Sequence, residues 1–237
     1  MQEKLFLNDS YLKECMSNLV DVTDTGGLIF DKTIFYAMSG GQPGDEGFIS
    51  WGNKSCRIKN TIKNRDGDVC LVTDDHQEIP TIGSKCIQEL NWTKRLKYMR
   101  VHTALHLLSV VIPLPVTRGQ ISEDKGRLDF NMPEPIQNKE ELENKLNEII
   151  ANDYTVSESW ITEEELDKKP ELVKTMSVSP PRGAGKIRLI RIGDRDQIDL
   201  QPCGGTHVRT TGEIGKVSIG KIENKGKQNR RVNLHIL

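Results

Sequence analysis

The sequence predicts an α+β protein in two parts, a small N-terminal β-barrel over residues 1–90 and an α+β domain over residues 91–237. Three observations predict this. The first ninety residues break into short runs rich in Val, Ile, Phe and Thr, separated by Gly-Gly, Pro-Gly and Asp-Gly turns. From Thr93 to Ile112 there is then no Gly or Pro, and apolar residues recur at helical spacing. Beyond that point strand-like and helix-like patterns alternate, and at the usual 100 to 200 residues per domain a chain of 237 holds one or two domains.

In the barrel, Asp66-Gly67 between Thr61-Ile62 and Val69-Cys70-Leu71-Val72 reads as a hairpin turn. Pro80 and Gly83 end the strand-rich region, and Thr93 caps a helix whose buried side is carried by Leu96, Met99, Leu105, Leu108 and Ile112. Pro113 and Pro115 stop that helix. Two strands follow, Val116 to Ile121 and Arg127 to Met132, with Asp124-Lys125-Gly126 as the turn between them. Asn138 with Glu141 three residues on marks a second helix, buried through Leu142, Leu146, Ile149 and Ile150, and Thr162 to Glu165 repeats the capping spacing. Strand-like runs at Lys186 to Ile192, Gln197 to Leu200, Lys216 to Ile222 and Arg231 to Ile236 complete the chain.

With 33 basic against 34 acidic residues the formal charge is -1, so binding to nucleic acid must use a local patch, not a global field. Five cysteines at 15, 56, 70, 86 and 203 form no C-x-x-C pair, and no cationic, apolar, cleavable leader opens the chain. A reducing, cytoplasmic setting is expected. The most apolar stretch, Ala104 to Val116, contains His106 and two prolines and falls short of the ~20 residues that span a bilayer, so no membrane segment is expected.

His102 and His106 leave one face of the long helix about one turn apart, in reach of a single metal ion. The same spacing suits ordinary half-buried histidines. Pro202-Cys203-Gly204-Gly205-Thr206-His207 adds a thiolate and an imidazole in a Gly-rich turn, and three His with one Cys are donors that favour zinc; the alternative for Cys203 is an inert buried thiol. Positions 103 and 104 are Thr and Ala, so the glutamate of an H-E-x-x-H protease is absent. Ser39-Gly40-Gly41-Gln42-Pro43-Gly44-Asp45-Glu46-Gly47 either approaches a partner closely or forms a turn or bulge. Gly183-Ala184-Gly185-Lys186 fails as a phosphate loop, because Pro180 and Ile187 stand where the motif needs Gly and Ser or Thr. The run Lys221 to Arg231 carries five basic residues against one acidic, as a phosphate-contacting hairpin or a solvated turn would. Lys94, Arg95, Lys97 and Arg100 add cations at the start of the first helix.

Taken together, F-Y-x-x-S-G-G-Q-P-G-D-E-G, R-V-H-T-A-L-H-L-L, G-R-L-D-F, P-C-G-G-T-H-V and K-G-K-Q-N-R-R-V resemble the alanyl-tRNA editing proteins of the AlaX family along nearly the whole chain. The sequence departs from that pattern at Ser39 and at Ala37-Met38. The family is similar to the editing domain of alanyl-tRNA synthetase, and the resemblance implies a stand-alone, trans-acting deacylase with zinc at His102, His106, Cys203 and His207. The implied substrate is the acceptor end of tRNA(Ala) carrying serine or glycine.

A synthetase pocket sized for alanine rejects serine only about a hundredfold, whereas a site that hydrogen-bonds the seryl hydroxyl rejects alanine by leaving its own polar groups unpaired. Candidate substrate contacts are Thr103, Thr117, Gln42, Gly40, Gly41 and Asp45, and candidate tRNA contacts are Lys225, Lys227, Arg230 and Arg231. No side chain stands out as general base, so a positioned water is the expected nucleophile. Rival readings are a non-catalytic RNA-binding module with structural zinc, a zinc hydrolase of a small ester, and a detached synthetase fragment.

Overall fold

The structure is a computed structural model that describes residues 2–176, 185–194 and 196–237. In chain order its strands are β1 (Glu3–Lys4), β2 (Glu14–Val22), β3 (Leu28–Phe30), β4 (Lys32–Thr33), β5 (Gly47–Trp51), β6 (Lys54–Lys63), β7 (Val69–Thr73), β8 (Lys85–Leu90), β9 (Val116–Ile121), β10 (Lys125–Asn131), β11 (Val156–Thr162), β12 (Lys186–Ile192), β13 (Asp199–Pro202), β14 (Val217–Asn224) and β15 (Asn229–Ile236). The helices are α1 (Trp92–Val111), α2 (Lys139–Ala151) and α3 (Glu163–Asp167). The chain divides into two compact units, Met1–Leu96 and Lys97–Leu237, and the division falls inside α1. Among the described residues no helix is long and apolar enough to cross a membrane.

In the first unit β2-β3-β7-β6-β5-β8 close into a barrel, as the short Val-, Ile-, Phe- and Thr-rich runs between Gly turns predict. Along β8 the side chains of Cys86, Gln88 and Leu90 are buried while Lys85, Ile87 and Glu89 are exposed. Leu19, Leu28, Phe30, Ile34, Phe35, Ile49, Ile58 and Leu71 fill the interior. Gln88, buried among them, donates to Ser17 Oγ at 2.7 Å and Lys32 O at 2.9 Å and accepts from Thr33 Oγ1 at 2.8 Å, so its amide is satisfied.

The Gly-rich segment is a tight hairpin. Ser39 and Gln42 exchange both backbone bonds, at 3.1 and 2.9 Å, and Gly40 and Gly41 between them have φ of 56° and 85°, a turn that disfavours any side chain at either position. Asp45 is buried against Arg95, whose Nε donates to Asp45 Oδ1 at 2.9 Å while Nη1 and Nη2 reach Ser10 O at 2.9 Å and Ile34 O at 2.7 Å. Asp45 also accepts from Tyr36 N at 2.5 Å. The pair is thus desolvated and fully bonded, the condition under which a buried ion pair is tolerated.

In the second unit β14-β15-β10-β9 form an antiparallel sheet and β11-β12-β13 form another. The α1 segment over Val101 to Ser109 is buried on every side, so the 3.6-residue pattern reported only one of its faces. Gly126 lies in β10 and not in the turn expected of it: Ser122 N donates to Lys125 O at 2.8 Å, which places Glu123 and Asp124 at the bend. A Cβ on Gly126 would lie 2.6 Å from Val101 Cγ1 and 3.0 Å from Leu105 Cδ1, so the glycine permits close approach of sheet and helix.

The Asn138 side chain caps α2 by accepting from Glu141 N at 3.0 Å, and Thr162 with Glu165 forms the expected capping box on α3. Strand β11 has no strong sequence signal, because Ser157, Glu158 and Ser159 are all exposed. Of the rejected phosphate-loop segment, Pro180, Gly183 and Ala184 lie outside the described residues.

Candidate metal centre

Register in the three-stranded sheet decides which side chains meet α1. Leu189, Ile190, Arg191 and Ile192 of β12 pair with Pro202, Gln201, Leu200 and Asp199 of β13. One face carries Ile187, Leu189 and Leu200 into a small core with Leu166 and Leu172. Alternation then sends Asp199 and Gln201 to the opposite face, and Cys203 N donates to Arg188 O at 3.1 Å, extending the row by one residue. The turn after Cys203 is held by Arg188 Nη1, which donates to Cys203 O at 3.0 Å and Gly205 O at 2.8 Å.

Four donor atoms converge there. The ligating atoms of His102, His106, Cys203 and His207 all lie within 4.8 Å of one another. Cys203 Sγ is 3.5 Å from His102 Nε2 and 3.3 Å from His207 Nε2. The three histidines are buried and Cys203 is half-buried, with Gly204 exposed beside it. A Cβ on Gly204 would meet nothing within 4 Å, so the cluster has an open side at the Cys203 turn.

Two of the imidazoles are oriented from behind. His106 Nδ1 lies 3.0 Å from Asp199 Oδ2, and Asp199 is itself held by Lys174 Nζ at 2.5 Å and Gln201 Nε2 at 2.7 Å. His207 Nδ1 lies 3.1 Å from Thr103 Oγ1, which donates its single hydrogen to Met99 O at 3.0 Å and accepts from Val208 N at 3.3 Å. With its hydrogen given to Met99 O, Thr103 accepts from His207 Nδ1–H. Both contacts leave Nε2 turned into the cluster.

The electrostatics follow from the same geometry. Burial opposes ionisation of Cys203, but the charges of His102 and His207 outweigh it and hold the thiol well below its ordinary value. Burial, with the charge of His102, holds His207 well below the usual histidine range. For His106 burial works against the proton, yet the bonds to Asp199 and to the Cys203 sulfur raise it to about 9. Asp199, though desolvated, is pulled to about 2 by His106 and Lys174. A thiolate among imidazoles, backed by a carboxylate and a hydroxyl, fits a borderline-soft divalent ion.

The remaining candidates have the following surroundings. Asp45 is not available as a substrate contact, because Arg95 and Tyr36 N take its carboxylate and it is only 2% exposed. Thr103 is completely buried with its hydroxyl committed to three partners, which makes it a positioning residue for His207 and not a ligand for a substrate hydroxyl. Thr117, half-buried on β9, has its hydroxyl 3.0 Å from Asp129 O and 3.0 Å from Asn229 Oδ1. Gln42, Gly40 and Gly41 belong to the barrel unit, and the Gln42 side chain is buried.

Of the basic hairpin, Lys225 is exposed and pairs with Glu223 at 2.8 Å, Lys227 is exposed, and Arg230 donates to Pro133 O at 2.9 Å. Arg231 is bound through Nε and Nη2 to both oxygens of the buried Asp129, at 2.8 and 3.0 Å. Asp199, Gln201, Arg188 and Lys174 were not among the sequence candidates. The available signal was alternation, since Asp199, Gln201 and Cys203 are two apart in one strand direction and must share a face.

The family described as threonyl and alanyl tRNA synthetase second additional domain matches residues 187–233, and that of class II (A) tRNA synthetases matches residues 8–94. The chain is 35% identical to the alanyl-tRNA editing protein AlaX-M of Saccharolobus solfataricus, over 98% of each chain. It is 30% identical to AlaX-M of Methanosarcina mazei, over 100% of this chain and 97% of that one. It is also 30% identical to the alanine–tRNA ligase of Pyrobaculum arsenaticum, of which it covers 25%.

Proposed function

Because the chain belongs to the AlaX family of alanyl-tRNA editing proteins, whose members are aminoacyl-tRNA deacylases, we propose that it hydrolyses serine or glycine wrongly esterified to tRNA(Ala), in trans, at a zinc ion held by His102, His106, Cys203 and His207. The observation that carries this reading is the meeting of two donor pairs about a hundred positions apart in one buried cluster.

Bound there, zinc would supply Lewis acidity and a charge that orients the ester or amino group of the substrate. The chain does the rest. Asp199 and Thr103 fix the imidazoles, Arg188 holds the Cys203 turn, and burial of the three histidines excludes bulk water from all but the open side. Substrate enters beside Cys203 and Gly204, the exposed edge of the cluster.

Lys225 and Lys227, exposed at the tip of the β14–β15 hairpin, supply the cations for phosphate in this reading. The decisive experiment is deacylation of Ser-, Gly- and Ala-tRNA(Ala), with and without a chelator. Loss of Ser- or Gly-tRNA(Ala) hydrolysis on metal removal, with Ala-tRNA(Ala) spared throughout, is expected. Metal-independent hydrolysis, or none with metal present, overturns the reading.

A further inference from the structure

The row of β-sheet partners that ends at Cys203 continues outward. Arg188 pairs with Trp160 of β11, the edge strand, so Trp160, Arg188 and Cys203 occupy successive strands at one register position. Directly opposed residues of antiparallel strands point to the same face. That face carries Asp199 and Gln201 toward the metal cluster, while the other packs Ile161, Ile187 and Leu189 into the apolar core.

Trp160 therefore stands on the site-bearing face, two strand spacings or roughly 10 Å from the Cys203 position. Arg188 between them is buried, but Trp160 is 42% exposed. On that face of β11 the exposed neighbour is Glu158, so among the described residues the partly exposed indole stands beside a charged side chain at the rim of a polar site and not within an apolar core.

We propose that Trp160 is a stacking shelf for the terminal base of the RNA 3′ end whose ester lies at the metal cluster. The inference rests on the deacylase reading and names the part of that substrate which the shelf takes. An unpaired 3′-terminal base offers a planar face at the distance a nucleoside spans from its ester-bearing ribose, and such bases are bound by stacking on aromatic side chains. Stacking is indifferent to hydrogen-bond pattern, so the shelf supplies affinity and placement, and selection among amino acids stays with the residues around the cluster.

The test uses the full chain with two probes, 3′-O-seryl adenosine and serine methyl ester, which differ in the presence of the base. Trp160→Ala is expected to raise KM for seryl adenosine by about 5- to 150-fold, the range one stacked base contributes. The kcat for seryl adenosine, all kinetics on the methyl ester and the bound zinc should hold within twofold, and Trp160→Phe should restore most of the loss. If Trp160→Ala does not fold, Trp160→Thr replaces it with an ordinary edge-strand residue. An unchanged KM for seryl adenosine overturns the shelf, as does an equal loss on both esters, which would mark a structural role. Wild-type protein that hydrolyses neither ester nor charged tRNA overturns the deacylase reading itself, and the shelf with it.

Discussion

Asp199 stands behind His106 as Thr103 stands behind His207, and the two partners differ in charge. A carboxylate strengthens the imidazole it holds as a donor, whereas a hydroxyl mainly fixes the ring. Asp199→Asn should therefore weaken zinc binding by about 10- to 100-fold, measured by competition with a chromophoric chelator. An affinity within twofold of wild type would show that Asp199 does not govern the ligand. Thr103→Val removes the acceptor for His207 Nδ1 and Val208 N together, and should cost about 1–3 kcal/mol in urea unfolding as well as metal affinity. Thr103→Ser should recover both. A Thr103→Val protein with normal metal affinity but no preference for serine over alanine would return Thr103 to the role of substrate contact.

Among the elements, β10 shows where sequence patterns carry far and where they stop. The sequence predicts a strand over Arg127 to Met132 and, because glycines usually mark turns, puts Gly126 in the turn before it. The actual reason for Gly126 is the approach of Val101 and Leu105 from a helix some twenty residues earlier, a contact no local pattern encodes. Gly126→Ala should cost about 1–3 kcal/mol by overpacking, read as a lowered denaturation midpoint at unchanged slope, and a neutral result would mean the helix can retreat. Strand β11 has no local signal for the opposite reason: with exposed Ser and Glu it has almost no apolar face, and only its ladder to β12 makes it a strand. The helix caps at Asn138 and Thr162 were legible because capping is settled within four residues.

Over the whole molecule, the four residues that meet in the candidate metal cluster were legible in the sequence because few residue types bind such ions, and the Gly-Gly turn separates Cys203 from an ordinary core thiol. The residues that orient them could not, since Asp199, Lys174 and Arg188 are common types made special only by register. The basic hairpin divides in the same way. Lys225→Ala with Lys227→Ala should lower the salt dependence of tRNA binding by about one unit of log–log slope per contact without loss of stability. Arg231→Ala should instead destabilise the fold, because it takes both charge-assisted hydrogen bonds from the buried Asp129 carboxylate and leaves it the longer Arg127 contact at 3.8 Å. An unaltered slope in the double lysine variant would move the RNA-binding surface elsewhere. Saturating zinc at a hundred times its Kd should add about 2.7 kcal/mol to the stability of the unit that holds the cluster, read in calorimetry as a raised unfolding midpoint.

The burial of Arg95 beside Asp45 has a practical consequence for anyone dissecting this chain. A scissor placed at residue 90, where the last barrel strand ends, sends the guanidinium away with the wrong fragment and leaves its anion sealed in an apolar interior with no counter-ion. Such a truncated barrel is expected to be recovered as insoluble material, and one carried on through Leu96 as a soluble product.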